Sequence, residues 1–149
     1  MTIENRKARY HFETLETYEA GVELAGSEVK SVRSGKANLN GAFARVIREK
    51  EIWLFGMHIA RYENADPRLA PDENRSRRLL LKKKEIAKIA ERVKLERLAI
   101  TALKLYFNSR KRAKILIALA RGKKLSDKRE TIKERDVKIN LKRAMKRSA

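Results

Sequence analysis

The sequence predicts a mainly β fold, an antiparallel barrel with about three flanking helices and a basic C-terminal tail. Three observations carry that expectation. Apolar residues alternate along the N-terminal part, two later runs around "NSRKR" are apolar at nearly every position, and the character changes abruptly at Gly122. Period-two alternation turns one face of a strand inward, while continuous apolar runs fit strands buried on two faces or a curled sheet. The chain divides accordingly into a barrel domain over 1–121 and a tail over 122–149.

From Ala8 the even positions Ala8, Tyr10 and Phe12, then Tyr18, Ala20, Val22 and Leu24, read as a strand bent near Glu16. Ser27 is placed to cap a short helix through Val29 and Val32, which Gly35 stops by accepting a left-handed backbone. "GAFARVIREKEIWLFGMHI" holds two β-rich runs around a charged break at 48–51, a hairpin, with Gly56 marking a bulge or a close approach of backbone. "RYENADPRLAPDENRSRR" carries both prolines and few apolar residues, and reads as a long loop. Ile86, Ile89, Ala90 and Val93 then fall at the i, i+3, i+4, i+7 spacing of an amphipathic helix. Two further strands, 98–107 and 113–120, flank "NSRKR". Strands with helices inserted between them, in a small basic chain, point to a barrel of the oligonucleotide-binding type.

Charge narrows the partner. The 149 residues hold 38 Lys and Arg against 19 Asp and Glu, a formal +19. A chain of this length can bury about 68–70% of the surface its unfolded form exposes, but such charge repels itself unless a polyanion offsets it. Nucleic acid is the first candidate. An anionic membrane is the second, yet no long helix pairs a basic face with bulky Trp, Phe and Leu. The apolar run at 115–120 is far short of the roughly 20 residues that span a bilayer. "MTIENRKARYHFE" lacks the apolar core of a secretory signal. The expectation is a soluble, cytoplasmic, monomeric protein with no membrane partner.

Catalytic chemistry finds little purchase. With no cysteine there is no disulfide framework, zinc ribbon or thiolate nucleophile. His11 and His58 fall on different predicted strands without a spaced metal partner, so no metal and no cofactor are expected. Gly35-Lys36 and Gly122-Lys123 lack the remaining residues of a phosphate-binding loop, and the carboxylates sit in mixed-charge runs where solvated pairing is the default. A binding protein, not an enzyme, is expected. Trp53, Phe12 and Phe107 are expected in the core, and tyrosines near element ends are better placed to touch RNA. The clusters "NRKAR", "RSRRLLLKKK" and "NSRKR" span several elements, as an extended phosphate-contacting surface would.

The tail holds eleven Lys and Arg against four Asp and Glu, a net +7, and its sparse apolar residues Val137, Leu141, Ala144 and Met145 share one helical stripe. Alone in water it should be mostly disordered; against RNA, neutralisation would let it become helical.

Four stretches, "NRKARY", "YEAGVELAGSEVKSVRSGKANL", "RSRRLLLKKKEI" and "IALARGKKLSDKRETIKERD", occur in an order and at a spacing that resemble the SmpB family of SsrA-binding proteins. The resemblance covers almost the whole chain. It implies an RNA-binding protein whose barrel grips the tRNA-like domain of transfer-messenger RNA, standing in for a missing anticodon arm, and which reaches stalled ribosomes with elongation factor Tu. The tail then enters the empty messenger channel at the decoding centre of the small subunit. Residue by residue, the resemblance implies Asn5, Arg6, Lys7, Glu19 and Leu80 for the tRNA-like domain. It implies Gly122, Lys123, Lys124, Asp127, Lys128 and Arg129 for the decoding centre, with Lys133 and Arg135 in a following segment, 132–145, that becomes helical. Glu19, whose carboxylate repels phosphate, would orient a basic neighbour or accept hydrogen bonds from base or ribose. Leu80 reads equally well as core.

The sequence also departs from the family. Tyr10-His11 stands where relatives have His followed by an acid, Asn40-Gly41 replaces an Asp-Ser-like pair, and Ser126 precedes Asp127 where a stacking His or Tyr is usual. On residues alone, a constitutive ribosomal or other structural RNA-binding protein, or an RNA-acting enzyme, stays open as the alternative.

Overall fold

A computed structural model describes residues 2–64 and 66–122. The tail residues Lys123, Lys124, Asp127, Lys128, Arg129, Lys133 and Arg135, and the expected helix at 132–145, lie outside the described residues. In chain order the elements are β1 (Thr2–Glu4), α1 (Arg6–His11), β2 (Phe12–Val22), α2 (Gly26–Arg33), β3 (Ala37–Asn38), β4 (Phe43–Ile47), β5 (Glu51–Phe55), β6 (His58–Ile59), β7 (Arg77–Leu80), α3 (Lys83–Glu96), β8 (Ala99–Phe107) and β9 (Ala113–Gly122).

Seven strands form one sheet in the order β1-β8-β4-β5-β7-β2-β9, and pairing of β8 with β9 closes it into a ring. Every pairing is antiparallel. Closure pairs both sides of the ring strands, and β1, which pairs with β8 alone, stays outside the ring. The described residues are therefore mainly β with three helices, as the pattern predicts. The apolar runs of β8 and β9 owe their continuity to the curled sheet: β9 pairs with β2 along one side and β8 along the other, leaving Ala118, Leu119 and Ala120 fully buried. β2 breaks register against β9 between Thr14 and Glu16, the bend expected there. Inward-facing Ile52, Leu54, Leu79, Leu105, Ile115 and Ile117 fill the barrel, and Ile86 and Ile89 of α3 join the same core.

Five expectations are corrected. Residues 8–11 are the end of α1 and not strand, because Asn5 starts a helical turn: its Oδ1 accepts from Ala8 N–H at 3.2 Å, while its Nδ2 donates to the Ala102 carbonyl at 2.8 Å. His11 consequently closes a helix. Ser27 does not cap α2; the helix begins at Gly26, and the Glu28 carboxylate reaches back to accept from Ala25 N–H at 2.9 Å. The loop ends at Ser76, since Arg77–Leu80 inserts as β7 between β5 and β2. Trp53 is not core: it alternates with Ile52 and Leu54, both inward, so the strand turns it to the outer face, half-buried. Phe12 is likewise only half-buried, whereas Phe107 packs against the core.

Three turn expectations hold. The β4–β5 hairpin turns through Arg48 and Glu49 at φ 54° and 59°, and Gly35 has φ 76°. Gly56 has φ 79°, and a Cβ there would lie 3.0 Å from the Gly41 carbonyl oxygen, so backbone does approach backbone. Among the described residues, no helix is long and apolar enough to cross a membrane, and no three His, Cys, Asp or Glu side chains group as metal ligands.

Candidate RNA interface

The residues implied for RNA fall on two neighbouring parts of the barrel exterior. Glu19 projects outward from β2 and accepts from the Tyr106 hydroxyl across the barrel wall. Burial, and then that hydrogen bond to Glu19, push the Tyr106 phenol up to about 12, so the donor keeps its proton at any physiological pH. Lys104 lies over the same ring, its Nζ 5.5 Å from the centroid. Two residues from Glu19, Gly21 pairs with Leu80 of β7, and a Cβ at Gly21 would meet Leu80 Cβ at 3.2 Å. The missing side chain lets Leu80 lie across β2. Leu80 is 48% exposed, which excludes the core reading.

The second part is α1. Arg6 and Lys7 are exposed on its first turn, but Asn5 is only 4% exposed and spends its amide on Ala102 and Ala8. Asn5 thus fixes where α1 sits and leaves direct contact to its neighbours. The chain enters α1 from β1, whose Glu4 pairs with Lys104 and Thr2 with Tyr106, so both parts hang from β8. Gly122, the last described residue, ends β9 opposite Phe12, beside the C-terminal end of α1. Between α1, β4 and the α3–β8 junction lies a groove of about 840 Å³ lined by Lys7, His11, Phe43, Arg45 and Val93. The buried Thr101 hydroxyl, in its wall, has no hydrogen-bond partner among the described residues.

The basic clusters do not all face outward. In "RSRRLLLKKK", Arg77 is fully buried: it donates to Glu28 through Nη2 at 2.6 Å and Nε at 2.9 Å, and through Nη1 to the Met57 carbonyl at 2.8 Å. Arg75 Nη2 holds the other Glu28 oxygen at 2.5 Å. Burial alone would raise the Glu28 carboxyl, yet hydrogen bonds from Arg75, the Ala25 N–H and Arg77 hold it below the usual carboxylate range. This network ties α2 to the base of β7, the strand that presents Arg78 and Leu80. Arg92 of α3 is committed to Glu16 and Glu96, each at 2.7 Å. Arg78, Lys82, Lys83, Lys84 and the turn residues Arg110, Lys111 and Arg112 stay exposed.

Sequence reasoning missed Tyr106 as the partner of Glu19 and missed the Glu28–Arg77 pair. No local signal marked either pair, whose members lie 87 and 49 residues apart.

A closed antiparallel barrel with an exposed leucine, a tyrosine-held glutamate and outward cations defines a small basic RNA-binding protein. The model of the family described as SmpB protein matches residues 2–147, so the chain belongs to the SmpB family. It is 49% identical to the SsrA-binding protein of Thermosynechococcus vestitus over 143 residues, 96% of this chain and 93% of that one. The SsrA-binding protein of Trichodesmium erythraeum is 50% identical over 143 residues, with 96% and 90% covered. A solved structure described as "tmRNA-SmpB: a journey to the center of the bacterial ribosome" superimposes with a TM-score of 0.70 at 43% identity, covering 88% of this chain and 94% of the other.

Proposed function

We propose that this protein binds the tRNA-like domain of transfer-messenger RNA and delivers it to stalled ribosomes for trans-translation. The observation that carries the reading is the match to the SmpB family over residues 2–147, which takes in both the barrel and the tail. On the barrel, Arg6 and Lys7 engage phosphates, Leu80 packs on an RNA sugar or base, and Glu19, oriented by Tyr106, accepts from base or ribose donors. Asn5 acts through the position of α1. Elongation factor Tu joins in the delivery complex, and the protein acts as a monomer in the cytoplasm, changing no covalent bond of the RNA.

The tail reads the ribosome. Gly122, Lys123, Lys124, Asp127, Lys128 and Arg129 meet the decoding centre, and Lys133 and Arg135 follow the empty messenger channel. Ribosomal RNA supplies the countercharge for a segment that has too few apolar residues to bury.

Leu80→Ala tests the barrel assignment. Leu80 is half exposed, so truncation should leave the unfolding midpoint nearly unchanged while weakening binding of the isolated tRNA-like domain roughly tenfold, the scale of one lost base contact. Native affinity in that variant would remove Leu80 from the interface. Retention of the native chain on ribosomal subunits through high salt would point instead to a constitutive ribosomal protein.

A further inference from the structure

We propose that the outer face of the β4–β5 hairpin is a further RNA contact, a stacking platform for unpaired nucleotides. The proposal extends the RNA-binding reading to a surface that the residues implied for the tRNA-like domain do not include. It starts from where the aromatic side chains went. Every buried hydrophobic residue among those described is Ala, Val, Leu, Ile or Met; no aromatic ring is needed to fill the barrel. On this hairpin the rings are outside. Phe43 pairs across the strands with Phe55, and the two stack with centroids 5.7 Å apart and planes 21° from parallel. Phe43 is 37% exposed, and the Arg45 guanidinium sits 5.2 Å from its ring centroid. Arg45 in turn pairs across the strands with Trp53.

Trp53 forms one wall of a groove of about 610 Å³, together with Ile47, Arg48, Lys50 and Phe55. Its indole N–H is already satisfied, donating to Glu51 Oε2 at 2.9 Å. Glu51 is itself 3.7 Å from Arg78, which neighbours Trp53 on β7, so the carboxylate is doubly engaged. With its edge hydrogen-bonded, Trp53 has only its ring face left to offer a ligand. Arg45, Arg48, Lys50 and Arg78 surround the rings against Glu49 and Glu51. Rings flanked by cations match a chain that alternates planar bases with phosphates, and base–aromatic stacking tolerates any base. The faces of the second and third barrel strands are also where small barrels of this type bind oligonucleotides. An acidic peptide would satisfy the cations but supply no planar partners for the rings.

Trp53 is the sole tryptophan, so its emission reports on the site directly. The full-length chain is titrated with short single-stranded oligoadenylate, with the same length of RNA duplex, and with the isolated tRNA-like domain. Stacking predicts saturable quenching by oligoadenylate and little by the duplex. Arg45→Glu with Lys50→Glu, both exposed positions that leave Trp53 in place, should weaken oligoadenylate binding at least about tenfold. Trp53→Phe should retain that binding and Trp53→Leu should lose it, both read by anisotropy of labelled RNA. Absent quenching, equal quenching by the duplex, or indifference to the Arg45 and Lys50 reversals would overturn the platform. The oligoadenylate arm decides the platform whichever way the tRNA-like domain arm falls, and the latter arm alone bears on the proposed function.

Discussion

Glu28→Gln should destabilise the barrel by about 3–5 kcal/mol, the range for removing one partner of a buried ion pair. Glu28 is 5% exposed and receives hydrogen bonds from Arg75, Arg77 and the Ala25 N–H. Without its charge the Arg77 guanidinium stays fully buried with only carbonyl oxygens for company. Because folding holds the Glu28 carboxyl below its ordinary value of 4.5, its contribution is present above about pH 4.5 and fades as pH falls through the lower folded value. The native chain should therefore lose stability in acid over a range where Glu28→Gln shows no loss from this group. Urea unfolding of both chains across pH measures it, and a difference below about 1 kcal/mol at neutral pH would contradict a network of this kind. Replacing Glu28 and Arg77 together by methionines should recover part of the loss, since an apolar pair leaves no buried charge.

Ending the chain at Arg121 should abolish ribosome rescue while largely sparing RNA binding. Of the described residues the cut removes only Gly122, which is exposed: Ala120 is the last buried position of β9, and Arg121 is exposed too. Among the described residues, only the pairing of Gly122 with Phe12 is lost from the sheet. The remaining domain still carries a net +12 by sequence, enough to hold phosphate. Affinity for the tRNA-like domain should fall by no more than about tenfold, part of it general charge loss that added salt also removes. Peptide tagging in a reconstituted translation system should disappear. Normal tagging by the shortened chain would refute the division of labour between barrel and tail, and so would failure to bind RNA at all.

How much was legible in the sequence depended on whether the deciding interaction was local. α3 and the β4–β5 hairpin were readable because their periods run uninterrupted within a dozen or so residues. β8 and β9 were readable as buried because apolar residues fill both faces where they meet: Ala118 and Ala120 are as buried as Ile117 and Leu119. α1 was misread because Ala8, Tyr10 and Phe12 imitate alternation, while the carbonyl that seats Asn5 belongs to Ala102, 97 residues away. Arg77 looked like part of a solvated basic cluster, and its partner Glu28 lies 49 residues back in another element. Trp53 was assigned to the core as an aromatic in a period-two run, yet its phase relative to Ile52 and Leu54 decides the face. The site divides in the same way. Arg6, Lys7 and Leu80 stand exposed as an interface needs, but the tyrosine that orients Glu19 comes from 87 residues further along.

The most direct measurement is a pair of titrations of the full chain, at physiological salt, against the isolated tRNA-like domain of transfer-messenger RNA and an ordinary elongator tRNA. Tight, preferential binding of the tRNA-like domain is the predicted result. Equal, weak binding of both RNAs, falling steeply with salt, would contradict it and leave a generic basic RNA binder.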